Sequence, residues 1–146
     1  MTVYPLELEW GLKDSFIAYL EALPDGLIEE HNGATRRDGV FVLPGRQQAG
    51  DDNFAFTGTM RFYGHHGVLD VTLDNFSLER SGNRAVVYAE VSGVRIPVAQ
   101  LSRVEAGDRT VLHSESVTLT DDGAAVLGGV YSPGASLAPL TIRSTH

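Results

Sequence analysis

The chain contains no cysteine. Disulfide frameworks, thiolate metal ligands, iron–sulfur clusters and thioether-linked cofactors are thereby excluded. Basic residues are few and scattered, with 11 Lys and Arg against 19 Asp and Glu and a formal net charge of −8. Without a concentrated positive footprint, neither nucleic acid nor a membrane-surface helix is expected. No apolar run approaches the length of a membrane span, so no membrane insertion is expected. The opening MTVYPLELEWGLKDS lacks the basic start and apolar core of a signal peptide. As it stands, the sequence predicts a soluble chain retained in the cytoplasm.

Several catalytic signatures are missing too. There is no G-x-S-x-G elbow, and no spacing among the Ser, His and Asp residues singles out a nucleophile. Asp70 and Asp74 lie four apart in a predicted strand and read as residues of its solvated face rather than as an acid/base pair. Neither H-x-H nor H-E-x-x-H occurs, which argues against a dedicated zinc site at His65-His66. Gly128-Gly129 follows a helical segment instead of opening one, the reverse of a phosphate loop.

At 146 residues the chain is the size of one ordinary domain, and residues 1–146 are read as a single domain with a core of its own. Sixteen glycines punctuate short alternating segments, the pattern of an all-β architecture. The expected fold is mainly β, an antiparallel sandwich-like or open-barrel domain with one or two short α-helices beside a ligand cleft. Phe54, Phe56, Met60 and Phe62 give the strongest strand signal, resumed by VLDVTLDNFSLE beyond a GHHG bend. GLIEEH and DGVFVLPG read as a first hairpin joined at Asn32-Gly33. Arg46 to Asn53 reads as a loop, and Pro97 as a mark of an edge strand or bulge.

Helix signals occur twice. Leu12, Phe16, Tyr19, Leu20 and Leu23 recur at helical spacing until Pro24-Asp25-Gly26 stops the run, giving an amphipathic helix of about three turns. Thr120 is placed to cap a second, short helix that Gly128-Gly129 ends. On the first helix Tyr19 flanks the apolar stripe and Ser15 lies one turn before it, so two hydroxyls share one edge. A bland reading makes Tyr19 a rim tyrosine, Ser15 a solvated serine and the histidines a surface decoration. The same set, with Tyr131 in a late glycine-rich bend, suits a large flat apolar ligand with polar margins. Haem is such a ligand, although residue types alone do not single it out.

Three segments carry a resemblance. WGLKDSFIAYLEAL at 10–23 resembles the W-G-x-K-x-S-F-x-x-Y opening of the actinobacterial HtaA-type haem-transport domain family. FTGTMRFYGHHGVLDVTLDN at 56–75 is similar to that family's central G-H-x-G segment, and DDGAAVLGGVYSPGASLAPLTI at 121–142 to its closing G-G-x-Y region. The matches keep the family's order and span nearly the whole chain.

The resemblance implies a noncatalytic domain binding ferric haem b for uptake, relay or buffering, with other haem-transport proteins as partners. Tyr19 then corresponds to the axial ligand and His65 to the histidine that hydrogen-bonds it. Ser15 corresponds to a propionate contact, and Tyr131 to a tyrosine beside the haem. A phenol titrates near pH 10, so ferric iron and an imidazole partner would help it act as a phenolate. A hard anionic oxygen favours Fe(III), which makes reduction a route of release.

The sequence also departs from the family. Position 130, often aromatic there, is Val. The interval from Tyr19 to His65 is short, and the family is usually secreted or at the cell surface. A haem-free protein-interaction module that keeps the fold is therefore the alternative. A haem-dependent enzyme has less support, since no distal acid/base group can be named. His66 falls at the variable position of G-H-x-G, and alternation along an extended segment would aim it away from His65. Oligomeric state is not indicated.

Overall fold

The structure, a computed structural model, describes residues 5–48, 50 and 52–145. Its first half comprises β1 (Pro5–Trp10), α1 (Asp14–Ala22), β2 (Leu27–His31), β3 (Thr35–Arg37), β4 (Val40–Gln47), β5 (Asn53–Phe56), β6 (Thr59–Gly64) and β7 (Leu69–Ser81). There follow β8 (Arg84–Val91), β9 (Val94–Ser102), β10 (Glu105–Gly107), β11 (Thr110–Ser114), β12 (Ser116–Leu119), α2 (Asp121–Val126), β13 (Ser136–Leu137) and β14 (Leu140–Ser144). The strands form one antiparallel sheet in the order β10-β11-β14-β1-β4-β5-β7-β8-β9-β12-β13, with β3 on β4 and β2 on β6, which itself pairs with β7. The result is an open half-barrel, the second of the two architectures expected.

Alternation explains which side chains face the core, and bulges explain where its phase changes. Along β7, Leu69, Val71 and Leu73 are buried, and beyond the register shift the buried positions become Phe76 and Leu78. Asn75 absorbs the extra residue in a left-handed conformation (φ 46°), the usual device for re-aiming a strand. The mark expected at Pro97 is also a bulge: Val87 faces Ala99 while Tyr88 faces Pro97, leaving Val98 as the additional residue.

Local signals misplace two features. Asn32-Gly33 joins β2 to β3, yet β2 pairs with β6 and β3 with β4. The hairpin turn is Asp38-Gly39, both left-handed at φ 53° and 78°, as a two-residue hairpin requires. The loop expected from Arg46 is shorter than predicted, because β4 runs to Gln47 and pairs with β5. Residues 49 and 51 lie outside the described residues.

The first helix starts at Asp14, so Leu12 is not part of it. Leu12 is fully buried in a left-handed turn (φ 63°) that leads into the helix. The helix ends where expected, with Leu23 extended (ψ 139°) because the following proline disfavours a helical residue before it. Phe16 and Leu20 are fully buried, each contributing about 1.5–3 kcal/mol. Phe16 meets Phe62 of β6 edge-on at 5.4 Å, which docks α1 against the hairpin of β6 and β7. Thr120 caps α2 as predicted, its hydroxyl oxygen accepting from the Gly123 amide at 2.9 Å.

Candidate functional site

The apolar stripe of α1 faces inward through Phe16 and Leu20, and this turns Ser15 and Tyr19 to the helix edge. Tyr19 is half-buried there, and its hydroxyl is hydrogen-bonded to Nε2 of His65 on the turn between β6 and β7. The two ring centroids are 5.5 Å apart. One helical turn earlier, Ser15 Oγ lies 3.3 Å from the Tyr131 hydroxyl. Tyr131 is held by Phe16, whose ring it meets edge-on at 6.1 Å. The four predicted residues therefore form two polar pairs along one edge of α1, as a spacing of four dictates.

The turn that presents His65 has an unusual backbone. His65 and His66 are both left-handed, at φ 49° and 54°, a conformation costing about 1–2 kcal/mol per residue for most side chains but more often adopted by His, Asn and Asp. The turn is closed by the Val68 amide donating to the His65 carbonyl at 3.0 Å. His65 and His66 do diverge, but not through strand alternation, because neither is extended. Left-handed geometry sends His65 to Tyr19 and leaves the His66 side chain 94 % exposed.

Two further contacts secure this corner. Asp25, three residues beyond the end of α1, accepts a hydrogen bond from the His66 amide at 2.6 Å. That amide holds the Asp25 carboxyl below the ordinary value for an aspartate. Arg61 of β6 donates through Nε and Nη2 to Asp70 of β7, at 3.1 and 3.2 Å, and through Nη1 to Glu29 of β2 at 3.1 Å. The strands behind the turn are thus tied together. Asp70 is committed to this clamp, and Asp74 accepts from Thr59 Oγ1 at 2.8 Å, so each serves the sheet and neither faces the other.

The face is open and partly apolar. Val68, beside the histidine turn, is 88 % exposed and Val130, beside Tyr131, is 56 % exposed. Lys13 places Nζ 4.9 Å from the centroid of the Tyr131 ring and donates to the Ser136 carbonyl at 2.8 Å. Among the described residues no group of three or more His, Cys, Asp or Glu side chains is placed to hold a metal ion. A groove of about 480 Å³ lies elsewhere, along Gly45, Phe56, Phe76 and Arg95, and includes none of the four predicted residues.

A model of the Htaa family matches residues 6–143. The chain belongs to the HtaA family. Solved structures of Corynebacterium glutamicum HtaA share the fold. Its C-terminal domain has a TM-score of 0.80 at 24% identity, covering 97% of this chain and 96% of that one. Its N-terminal domain gives 0.79 at 24%, covering 99% and 98%. A third neighbour, described as the heme binding protein HtaB of the same organism, gives 0.77 at 19%, covering 97% and 93%. No curated protein matches the chain.

Within this HtaA-family chain, sequence reasoning did not find Asp25 or Lys13 as neighbours of the site. Pro24-Asp25-Gly26 reads in sequence as a helix stop and nothing more. Lys13 lies inside the W-G-x-K-x-S segment, so its position two residues before Ser15 was the available signal. The chemistry of the donor set fits a planar, anionic, iron-containing ligand: a phenol with an imidazole to share its proton, two hydroxyls with a nearby cation, and exposed apolar margins.

Proposed function

We propose that this chain is a noncatalytic carrier of ferric haem b, taking it up, relaying it or buffering it. The observation that carries the reading is the hydrogen bond between the Tyr19 hydroxyl and His65 Nε2, made between α1 and a turn 46 residues away. Membership of the HtaA family and the fold shared with a protein described as heme binding support it.

In this reading Tyr19 would be the residue that holds the haem iron. Iron binds a phenol as its phenolate, so the proton must pass to a neighbour as the bond forms. His65 is placed to take it, with Nε2 at the phenol oxygen, and its backbone turn fixes the direction of approach. Haem, when bound, supplies a hard Lewis acid in ferric iron, which a phenolate oxygen suits. Ser15 and Tyr131 offer hydroxyls one helical turn away, suited to a propionate, and Lys13 adds positive charge on that side. Val68 and Val130 provide apolar contact without ring stacking. Other haem-transport proteins are the partners that a relay requires.

Titrating the apoprotein with hemin tests the proposal. The expected result is a high-spin spectrum with a tyrosinate charge-transfer band, weakened or lost in Tyr19→Phe. If Tyr19→Phe leaves both spectrum and affinity unchanged, the ligand assignment is wrong. No Soret change with the wild type would favour the protein-interaction module.

A further inference from the structure

The contact between Asp25 and the His66 amide belongs to neither polar pair, and its geometry goes beyond a surface hydrogen bond. Gly26 lies so close to the end of α1 that a Cβ there would stand 1.8 Å from the Leu20 carbonyl oxygen. The Gly26 amide also donates to the Leu23 carbonyl at 3.2 Å. Asp25 is thus fixed to the helix that carries Tyr19. On the other side, Gly64 precedes the histidine turn and packs against the helix end, where a Cβ would fall 2.7 Å from Leu23 Cδ1 and force that side chain to shift. The helix end and the hairpin tip touch, and Asp25 spans the junction.

We propose that Asp25 is a positioning residue, clamping the left-handed histidine turn to the end of α1 so that His65 meets Tyr19. This rests on the reading of Tyr19 and His65 given above. Two consecutive left-handed histidines are not a conformation that their side chains impose, so it persists only where surrounding contacts fix it. The Asp25 carboxylate supplies one such contact from outside the turn, taking the His66 amide at 2.6 Å. It also faces the His66 imidazole, whose Nδ1 is 3.6 Å from the same oxygen. Helix and turn are then joined twice, through Tyr19 and His65 side chains and through Asp25 and the His66 backbone. With only the first link, His65 can swing with its turn. With both, the imidazole is held against the phenol before any ligand arrives, and no part of that work is left to the ligand. Asp25 grips the turn at His66, so its effect on the phenol passes through the turn that carries His65.

The test compares wild type with Asp25→Ala and Asp25→Asn, the latter keeping an oxygen acceptor for the amide. In the apoprotein, hydrogen exchange should show the His66 amide protected in wild type, unprotected in Asp25→Ala and protected again in Asp25→Asn. The cross-relaxation between the Tyr19 and His65 rings should fade and return with it. In hemin titrations Asp25→Ala should weaken binding on the order of tenfold, the lower end for partners that orient a metal ligand, and shift the charge-transfer band. Asp25→Asn should restore both. Unchanged His66 exchange in Asp25→Ala overturns the proposal. So does equal loss of thermal stability in both variants with an unmoved band, which would make Asp25 an ordinary fold contact. If wild type itself fails to bind hemin, the functional reading falls, while the apoprotein measurements still decide whether Asp25 holds the turn.

Discussion

Replacing Phe16 with Ala probes the joint between fold and site. The side chain is fully buried and lies edge-on to two rings, Phe62 at 5.4 Å and Tyr131 at 6.1 Å. Truncating a buried Phe to Ala costs about 3–5 kcal/mol, and each edge contact adds ~0.5–1.5 kcal/mol beyond buried area. The loss should therefore fall in the upper part of that range. Unfolding entropy of about 2.1 cal/mol/K per residue, taken over 146 residues, gives ~0.3 kcal/mol/K, so a 4 kcal/mol loss lowers Tm by about 13 °C. Phe16→Leu keeps much of the packing and should lose ~1–2 kcal/mol. Urea and thermal unfolding, followed by far-ultraviolet circular dichroism, measure both. A cycle with Phe62→Leu isolates the ring contact, expected at ~0.5–1.5 kcal/mol. A Phe16→Ala loss below about 1 kcal/mol, or a zero coupling to Phe62, would show that α1 is not docked on β6 through this residue.

Two more outcomes follow from positions away from the site. Thr120→Ala removes both the cap on α2 and the hydroxyl's donation to the Pro97 and Val98 carbonyls, at 2.7 and 3.0 Å. It should cost about 1–2 kcal/mol in urea unfolding, with Thr120→Ser recovering most of that. Burial, with Glu79 nearby, pushes the Tyr88 phenol up. Folding then favours its neutral form, so this contribution is fully present below about pH 10 and is lost as pH rises through the higher folded value. Absorbance titration should place one phenol above the ordinary range, and Tyr88→Phe should remove both that step and the matching alkaline loss of stability.

Legibility in the sequence followed the range of the interactions involved. The α2 cap was readable because neighbours in the chain fix it. The alternation from Phe54 to Phe62 was readable as strand, but as a single one. Gly58 (φ 138°) divides it into β5 and β6, which pair with β4 and β2 respectively besides β7. Asn32-Gly33 misled because it is a turn without a hairpin: β2 leaves the docked end of α1 and is captured by β6, where Leu27 pairs with Tyr63. Turn chemistry sees four residues, whereas that pairing joins residues far apart along the chain. Leu12 misled differently. Its burial fits a helical stripe, but periodicity reports which side chains reach the core and not the backbone angles that bring them there.

The same distinction governs the site. Ser15 and Tyr19 shared a face by spacing alone, and the structure then brings each to a partner, Tyr131 and His65, that spacing could not supply. Alternation was to aim the two histidines apart, and the G-H-x-G pattern to single out His65. They do diverge, with His66 outward, but through a turn that is left-handed at both. The proposed role of Asp25 shows why such a contact escapes sequence reasoning altogether. It grips an amide, which every residue but proline possesses, so His66 carries no signature of being held. Any residue tolerant of the left-handed region, Asn or Gly included, could stand at 66 and keep the clamp. The side chain that matters is the acceptor at 25, and in sequence it is indistinguishable from the middle of an ordinary Pro-Asp-Gly turn.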